Sequence, residues 1–333
     1  MRAFVLDGYG AVTDHVRLVD IADPDPGADD VLIEIHAASL NPIDFKIVHG
    51  DLKRVSKYQL PRPFGFDASG IVLSVGARAT RFKPGDAVYA RASRETIGTF
   101  AEKIALPQQF VALKPNLVSH VGAAALPLVG LTTLQGFARV KARAGQRILI
   151  HAGAGGIGTF AVQYADHLGL HVTTTTSSRN ADFVKSLGAD RVIAYDRENY
   201  LDAGGDYDIV YDTLGGAFTV DAFKVVKRGG AVISLSGPPD RDFARREGAG
   251  WLVRVAVWLM SRKVYAASAE AGAAYCWFFT EPNGDQLREI AELVDRGAIK
   301  PVIDREFPFE QLPAALGHLE TGRARGKVVL KVK

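Results

Sequence analysis

Two textures divide the chain by the spacing of its hydrophobic and polar positions. From Met1 to about Leu117, short alternating runs (Ala3–Leu6, Val31–Ala38, Gly70–Val75, Ala87–Ala90 and Phe100–Leu106) are separated by Pro, Gly and Asp, which predicts a β-rich unit. Between Val121 and Ala138 the texture turns helical. Beyond it, apolar runs at Ile148–Ile150, Arg191–Ala194, Ile209–Tyr211 and Ala231–Leu235, with a further strand candidate at His171–Thr176, alternate with helical stretches such as Ile157–Leu168 and Ala181–Leu187. That alternation predicts an α/β unit with a doubly wound parallel sheet. The C-terminal portion adds a helix at Gln286–Asp295, a strand-like Lys300–Ile303, a helix at Phe309–Glu320 and a last strand, Lys327–Lys331, able to rejoin the first unit. The expected division is 1–120, completed by 271–333, around a unit spanning 121–270.

The stretch Arg147–Gly158, RILIHAGAGGIG, runs from a strand through a glycine turn into a helix, with Gly153, Gly155 and Gly158 in G-x-G-x-x-G spacing. The first glycine permits the reversal, the second lets a pyrophosphate approach the backbone, and the third lets helix and strand pack closely. The following helix start, including Gly156 and Ile157, offers backbone N–H groups to the phosphates. Because a complete βαβ unit follows, the turn reads as a dinucleotide site.

The tip of the second strand bears on which dinucleotide. An NAD site usually places Asp or Glu about 20 residues past the glycines to bind the ribose 2′-hydroxyl. Here the residues are Thr176, Ser177, Ser178, Arg179 and Asn180. Hydroxyls, an amide and a guanidinium donate to a 2′-phosphate, so NADPH is the expected cofactor.

At 333 residues and 47% apolar content, the chain suits two domains. Its 40 basic and 37 acidic side chains leave a net charge of +3, too small to argue for a nucleic-acid partner. The single cysteine, Cys276, allows neither an internal disulfide nor a multi-cysteine zinc site and fits a reducing compartment, read as the cytoplasm. The N-terminus lacks the pattern of a signal peptide. The apolar stretch Gly250–Met260 is too short to span a bilayer and reads as a helix or a subunit contact. No membrane partner is expected.

Several blocks beside the glycine turn resemble the zinc-independent branch of the medium-chain dehydrogenase/reductases, the quinone and enone oxidoreductases. They are SLNPIDFKIVHG (Ser39–Gly50), PFGFDASGIVLSVG (Pro63–Gly76), FKPGDAVYA (Phe82–Ala90), LPLVGLTTLQ (Leu126–Gln135), KSLGADRVIAYDRENY (Lys185–Tyr200) and GKVVL (Gly326–Leu330). The resemblance implies a GroES-like β-rich catalytic domain built from both chain ends, a central Rossmann domain, NADPH as reductant and a homodimer. Where zinc-dependent relatives carry a Cys in the first block and a His-Glu pair in the second, this chain has Ser39, Asn41 and Asp44, then Phe66 and Asp67. No catalytic zinc is expected; a set of Asp67 with His36 or His49 is the weaker reading, since zinc sites usually offer three ligands rich in His or Cys. Without a Lewis acid, conjugated acceptors, whose hydride adducts are enolates, ask less of the protein than simple ketones.

The resemblance assigns Asn41 to orient the nicotinamide carboxamide or the acceptor carbonyl, and Lys46 to donate to an enolate oxygen. It assigns cofactor contacts to Thr132, Ser177, Ser178, Arg179, Asn180, Tyr195, Ile233, Leu235, Ser236 and Arg323. Trp277, Phe278 and Phe279 read as walls of the acceptor pocket or as core. The expected activity is NADPH-dependent reduction of a quinone or an activated C=C bond. Reduction of isolated carbonyls and a non-catalytic, redox-sensing NADPH-binding protein are the alternatives.

Overall fold

A computed structural model describes residues 1–53, 58–241, 243–246, 248 and 250–333. It contains two compact units, Met1–Leu131 with Glu281–Lys333, and Thr132–Thr280.

In the first unit the longest strand, Asp30–Ser39, alternates as its sequence demands. Val31, Ile33 and Ile35 are buried between half-exposed neighbours. It pairs antiparallel with Asp67–Val75, Lys103–Pro107 and the C-terminal Lys327–Lys331. The sheet continues through Ala87–Arg91 to Val111–Leu113 on one side and to Ile303–Pro308 on the other. Segments from the first third of the chain and from its C-terminal end therefore build one sheet, while Arg2–Leu6 pairs with Val16–Asp20 and Arg62–Pro63 in a separate one.

Two strand expectations in this unit are corrected. The strand near 300 runs Ile303–Pro308, because it pairs in parallel with Lys327–Lys331, Phe307 opposite Leu330. Its three charged residues, Asp304, Arg305 and Glu306, hid it from a search for apolar alternation. The strand expected from Phe100 begins at Lys103; the preceding Ala101 makes only an isolated bridge to Ala3.

The second unit is a parallel sheet in the order Arg191–Ala194, His171–Thr176, Arg147–Ile150, Tyr207–Asp212, Val226–Ser234 and Ala274–Trp277. Continuous apolar runs such as Ile148, Leu149 and Ile150, all buried, belong in strands covered on both faces. The stretch 271–280, assigned by sequence to the first unit, lies in the second, because Ala274–Trp277 pairs along Val226–Ser234. At the other junction, the first unit extends to Leu131 rather than ending near 120.

Candidate functional site

The glycine turn joins the strand Arg147–Ile150 to the helix Gly156–His167. A Cβ on Gly153 would lie 2.1 Å from Thr174 Oγ1, and one on Gly158 would lie 2.2 Å from the Ala152 carbonyl oxygen. Packing alone requires both glycines. On Gly155 a Cβ would meet only the Ala152 oxygen, at 3.3 Å, so open space lies beside it. No side chain caps the helix at Gly155, and the N–H groups of its first turn have no intrahelical acceptor. Open space beside donors without an intrahelical acceptor at a helix N-terminus suits a pyrophosphate.

At the tip of the second strand, Ser177 is buried with its hydroxyl unpartnered among the described residues. Arg179 is exposed and Asn180 half-exposed. Ser178, however, is already engaged: its N–H and hydroxyl donate to Asp196 at 2.8 and 2.6 Å. These bonds hold the Asp196 carboxyl below its usual range. The second strand thus ends without a carboxylate of its own but meets one from the third. Parallel pairing of Thr176 with Ala194 sets Tyr195 and Asp196 beside the tip, an arrangement invisible in the local pattern. Tyr195 is 67% exposed.

A cavity of about 470 Å³ opens beside these residues, lined by Thr175, Tyr195, Asp196, Tyr200, Leu214 and Phe218 among others. Tyr200 and Phe218 lie near-parallel, 6.1 Å between ring centroids, and His151 meets Tyr200 edge-on at 4.7 Å. Burial pushes the His151 imidazole down to about 4, against an opposing pull from Asp212.

Asp212, which the sequence reading passed over, organises the loop after the fourth strand. One carboxylate oxygen accepts from the N–H groups of Leu214 and Gly215, both at 2.9 Å, and the other from Thr219 and Ser234 hydroxyls at 2.6 and 2.7 Å. An Asp closing a strand just before Gly215 and Gly216 was the available signal. Leu235 and Ser236 follow at the carboxyl end of the next strand, Ser236 donating to the Thr213 carbonyl at 3.2 Å. The Ile233 side chain is fully buried in the core. Thr132 is buried, its hydroxyl 2.7 Å from that of Thr280.

The three aromatics of 277–279 do not form one wall. Trp277 and Phe279 cluster edge-on with Phe243, at centroid separations of 4.9 and 5.6 Å. Phe278, just past the end of the strand Ala274–Trp277, packs elsewhere, against Gly136 and under the Arg139 guanidinium, 4.7 Å from its ring centroid.

In the first unit, Asn41 precedes the helix Pro42–His49, and its N–H donates to Asp44 Oδ2 at 2.7 Å. Its side chain is buried and committed. Nδ2 donates to Asp67 Oδ2 at 2.9 Å, and Oδ1 accepts from the Lys327 ammonium. Lys327 also donates to the Leu40 carbonyl at 2.9 Å. Asp67 accepts further from Ser39 Oγ at 3.2 Å and from the Leu128 N–H at 3.0 Å. Burial raises the Asp67 carboxyl and lowers the Lys327 ammonium, and the charge of each opposes the other's drift. Burial also pushes Asp44 up to about 8. Arg91, buried and stacked over Phe66 at 5.5 Å, is lowered to about 10, chiefly by burial. The Asn41 amide, which the resemblance assigns to the carboxamide or acceptor carbonyl, is hydrogen-bonded on both sides within this network. Lys46 stays outside this network, half-exposed in the last turn of its helix. The sequence reading missed Lys327, although a lysine opening the apolar strand KVVL signals a charge that must be paired if buried. Arg323 is exposed on the turn before that strand.

Two domain families match the chain. Residues 27–116 match the alcohol dehydrogenase GroES-like domain, and 187–330 match a domain family described as zinc-binding dehydrogenase. The chain is 35% identical to the tomato (Solanum lycopersicum) 2-methylene-furan-3-one reductase, over 99% of its own length and 79% of the relative's. It is 34% identical to the Arabidopsis thaliana chloroplastic NADPH-dependent alkenal/one oxidoreductase, with the same coverage. The quinone oxidoreductase of Coxiella burnetii superposes with a TM-score of 0.88 at 31% identity, covering 100% of this chain and 99% of that one.

The zinc that one domain description implies does not suit these residues. Both oxygens of Asp67 are already hydrogen-bonded, and the Lys327 ammonium stands where a second cation would be repelled. His36 and His49 pair with Glu34 and Glu320, at 3.3 and 3.0 Å. Among the described residues no three His, Cys, Asp or Glu side chains gather as a metal site.

Proposed function

This chain belongs to the medium-chain dehydrogenase/reductase family, and we propose that it is an NADPH-dependent oxidoreductase reducing quinones or the activated C=C bond of α,β-unsaturated carbonyls without zinc. The observation that carries the reading is the glycine turn, where packing explains Gly153 and Gly158 but leaves space at Gly155 beside unpaired helix donors. The relatives' names supply the acceptor class: an alkenal/one, a quinone, and a furanone bearing a conjugated methylene group.

In this reading the N–H groups of Gly156, Ile157 and Gly158 hold the pyrophosphate, and Arg179, Asn180, Ser177 and Tyr195 bind the adenosine phosphate. The Tyr200–Phe218 cavity takes the adenine. Leu235 and Ser236 border the nicotinamide ribose. NADPH, when bound, supplies the hydride. Hydride addition to a conjugated acceptor leaves charge on an enolate, which one or two hydrogen bonds suffice to stabilise. Lys46 is the candidate donor to that oxygen. Asn41 acts by position, holding its loop through Asp67 and Lys327. Trp277 and Phe279, clustered with Phe243, are the candidate walls of the acceptor pocket. The reading extends to a homodimer, on family membership, and to a reducing compartment such as the cytoplasm, suited to the single thiol.

The test follows NADPH absorbance with a quinone, a 2-alkenal, an enone and a saturated ketone, each with and without a zinc chelator. Oxidation with the conjugated acceptors, indifferent to chelation, is expected. Turnover of the saturated ketone alone, or NADPH binding without any turnover, overturns the reading.

A further inference from the structure

The helix Trp251–Ala271 confirms the helical reading of Gly250–Met260 and extends it, but it touches its unit sparingly. Its buried residues are Val257, Ser261 and Val264, which at 3.6 residues per turn share one stripe. The first three turns otherwise face outward. Trp251, Leu252, Val253, Val255, Trp258, Leu259 and Met260 are all exposed, Trp251 at 70%, Leu252 at 65% and Met260 at 62%. A lone exposed leucine needs no explanation. Seven large apolar side chains on one helix present on the order of 700 Å² of surface, more than monomeric proteins usually leave in water.

Among the described residues, the charged side chains on the first three turns of this helix and on the turn that follows are basic. Arg254 lies within the apolar surface, and Arg262 and Lys263 stand one turn beyond Leu259, all exposed. Arg241 stacks on Tyr265 of the same helix, its guanidinium 4.1 Å from the ring centroid. The only carboxylate on the helix is Glu270, near its far end. Two copies packed face to face about a two-fold axis would bring these cations together. A layer of anionic headgroups complements them.

We propose that the outward face of the Trp251–Ala271 helix docks on an anionic lipid surface. Lying in the interface, the helix sinks its leucines, valines and methionine to the headgroup–acyl boundary, where tryptophan is favoured, while Arg254, Arg262 and Lys263 reach lipid phosphates. No helix among the described residues is long and apolar enough to cross a membrane, so the contact is peripheral. It revises the expectation of no membrane partner without requiring a span. The inference does not rest on the proposed activity.

The experiment mixes the full chain with vesicles of phosphatidylcholine alone or of phosphatidylcholine with phosphatidylglycerol, and measures co-sedimentation. Binding to the mixed vesicles only is expected, with quenching of tryptophan emission by lipids brominated in the upper acyl chain. Two of the three tryptophans, Trp251 and Trp258, lie on this face, whereas Trp277 is buried. The quenching needs no variant. Leu252→Ser with Leu259→Ser should abolish sedimentation, and Arg254→Gln, Arg262→Gln and Lys263→Gln together should weaken it by about tenfold or more. Sedimentation velocity should give both variants the wild-type mass. Failure of the wild type to bind mixed vesicles, or equal binding to neutral ones, overturns the proposal. So does a serine variant that changes oligomeric mass while vesicle binding persists, which would assign the face to a second copy.

Discussion

The ammonium of Lys327 lies 3.5 Å from the carboxylate of Asp67, with both side chains buried and 260 residues between them in the chain. One belongs to the C-terminal strand and the other to the strand opening at Asp67. The pair ties the chain end to the loop that carries Asn41. Lys327→Met would leave Asp67 buried without its cation, a loss of about 3–5 kcal/mol. Urea unfolding should register this, and Lys327→Met with Asp67→Asn should recover much of it. A single variant as stable as the wild type would contradict the pairing.

The three glycines of the turn should separate folding from binding. Gly158→Ala forces a Cβ onto the Ala152 carbonyl and should lower the melting temperature sharply. Gly155→Ala should fold almost normally yet weaken NADPH binding severely, as read by fluorescence titration of the cofactor. Equal loss of stability in both variants would remove the argument for a pyrophosphate beside Gly155.

Phosphate recognition is tested by opposite changes at two neighbours. Arg179→Ala should raise KM for NADPH by about tenfold or more, the loss of one charge-assisted hydrogen bond, with little effect on KM for NADH. Asp196→Asn removes a negative charge while keeping an acceptor for Ser178, and should lower KM for NADPH relative to NADH. Parallel effects on both cofactors in both variants would refute the assignment.

Acid sensitivity should trace in part to His151. Its folded-state value, about 4, lies below the ordinary 6.5, because burial disfavours the imidazolium. The unfolded chain therefore takes up this proton first as pH falls. The associated stability is present above pH 6.5 and is lost progressively toward pH 4, up to about 3 kcal/mol. His120, also lowered to about 4 by burial, contributes in the same sense. Urea midpoints at pH 7 and 4.5 should fall less for His151→Phe than for the wild type. An equal fall would place the acid sensitivity elsewhere.

Local order made much of the nucleotide-binding unit readable from residues alone. A strand, a glycine turn and a helix are specified within twelve neighbouring positions, because backbone sterics and helix-end hydrogen bonding act over a few residues. The strands at Arg191–Ala194 and Lys327–Lys331 were legible for the same reason, from short apolar runs, and His171–Thr176 from its run of β-branched residues. Tertiary structure alone decided which polar groups are free. Ser178 loses its availability to Asp196 through strand register, Asn41 loses its own to Asp67 and Lys327 across the sheet, and Phe278 packs apart from Trp277 and Phe279. Desolvation makes those pairings compulsory, since a buried charge or amide must find a partner wherever the fold supplies one, and sequence distance has no part in that choice.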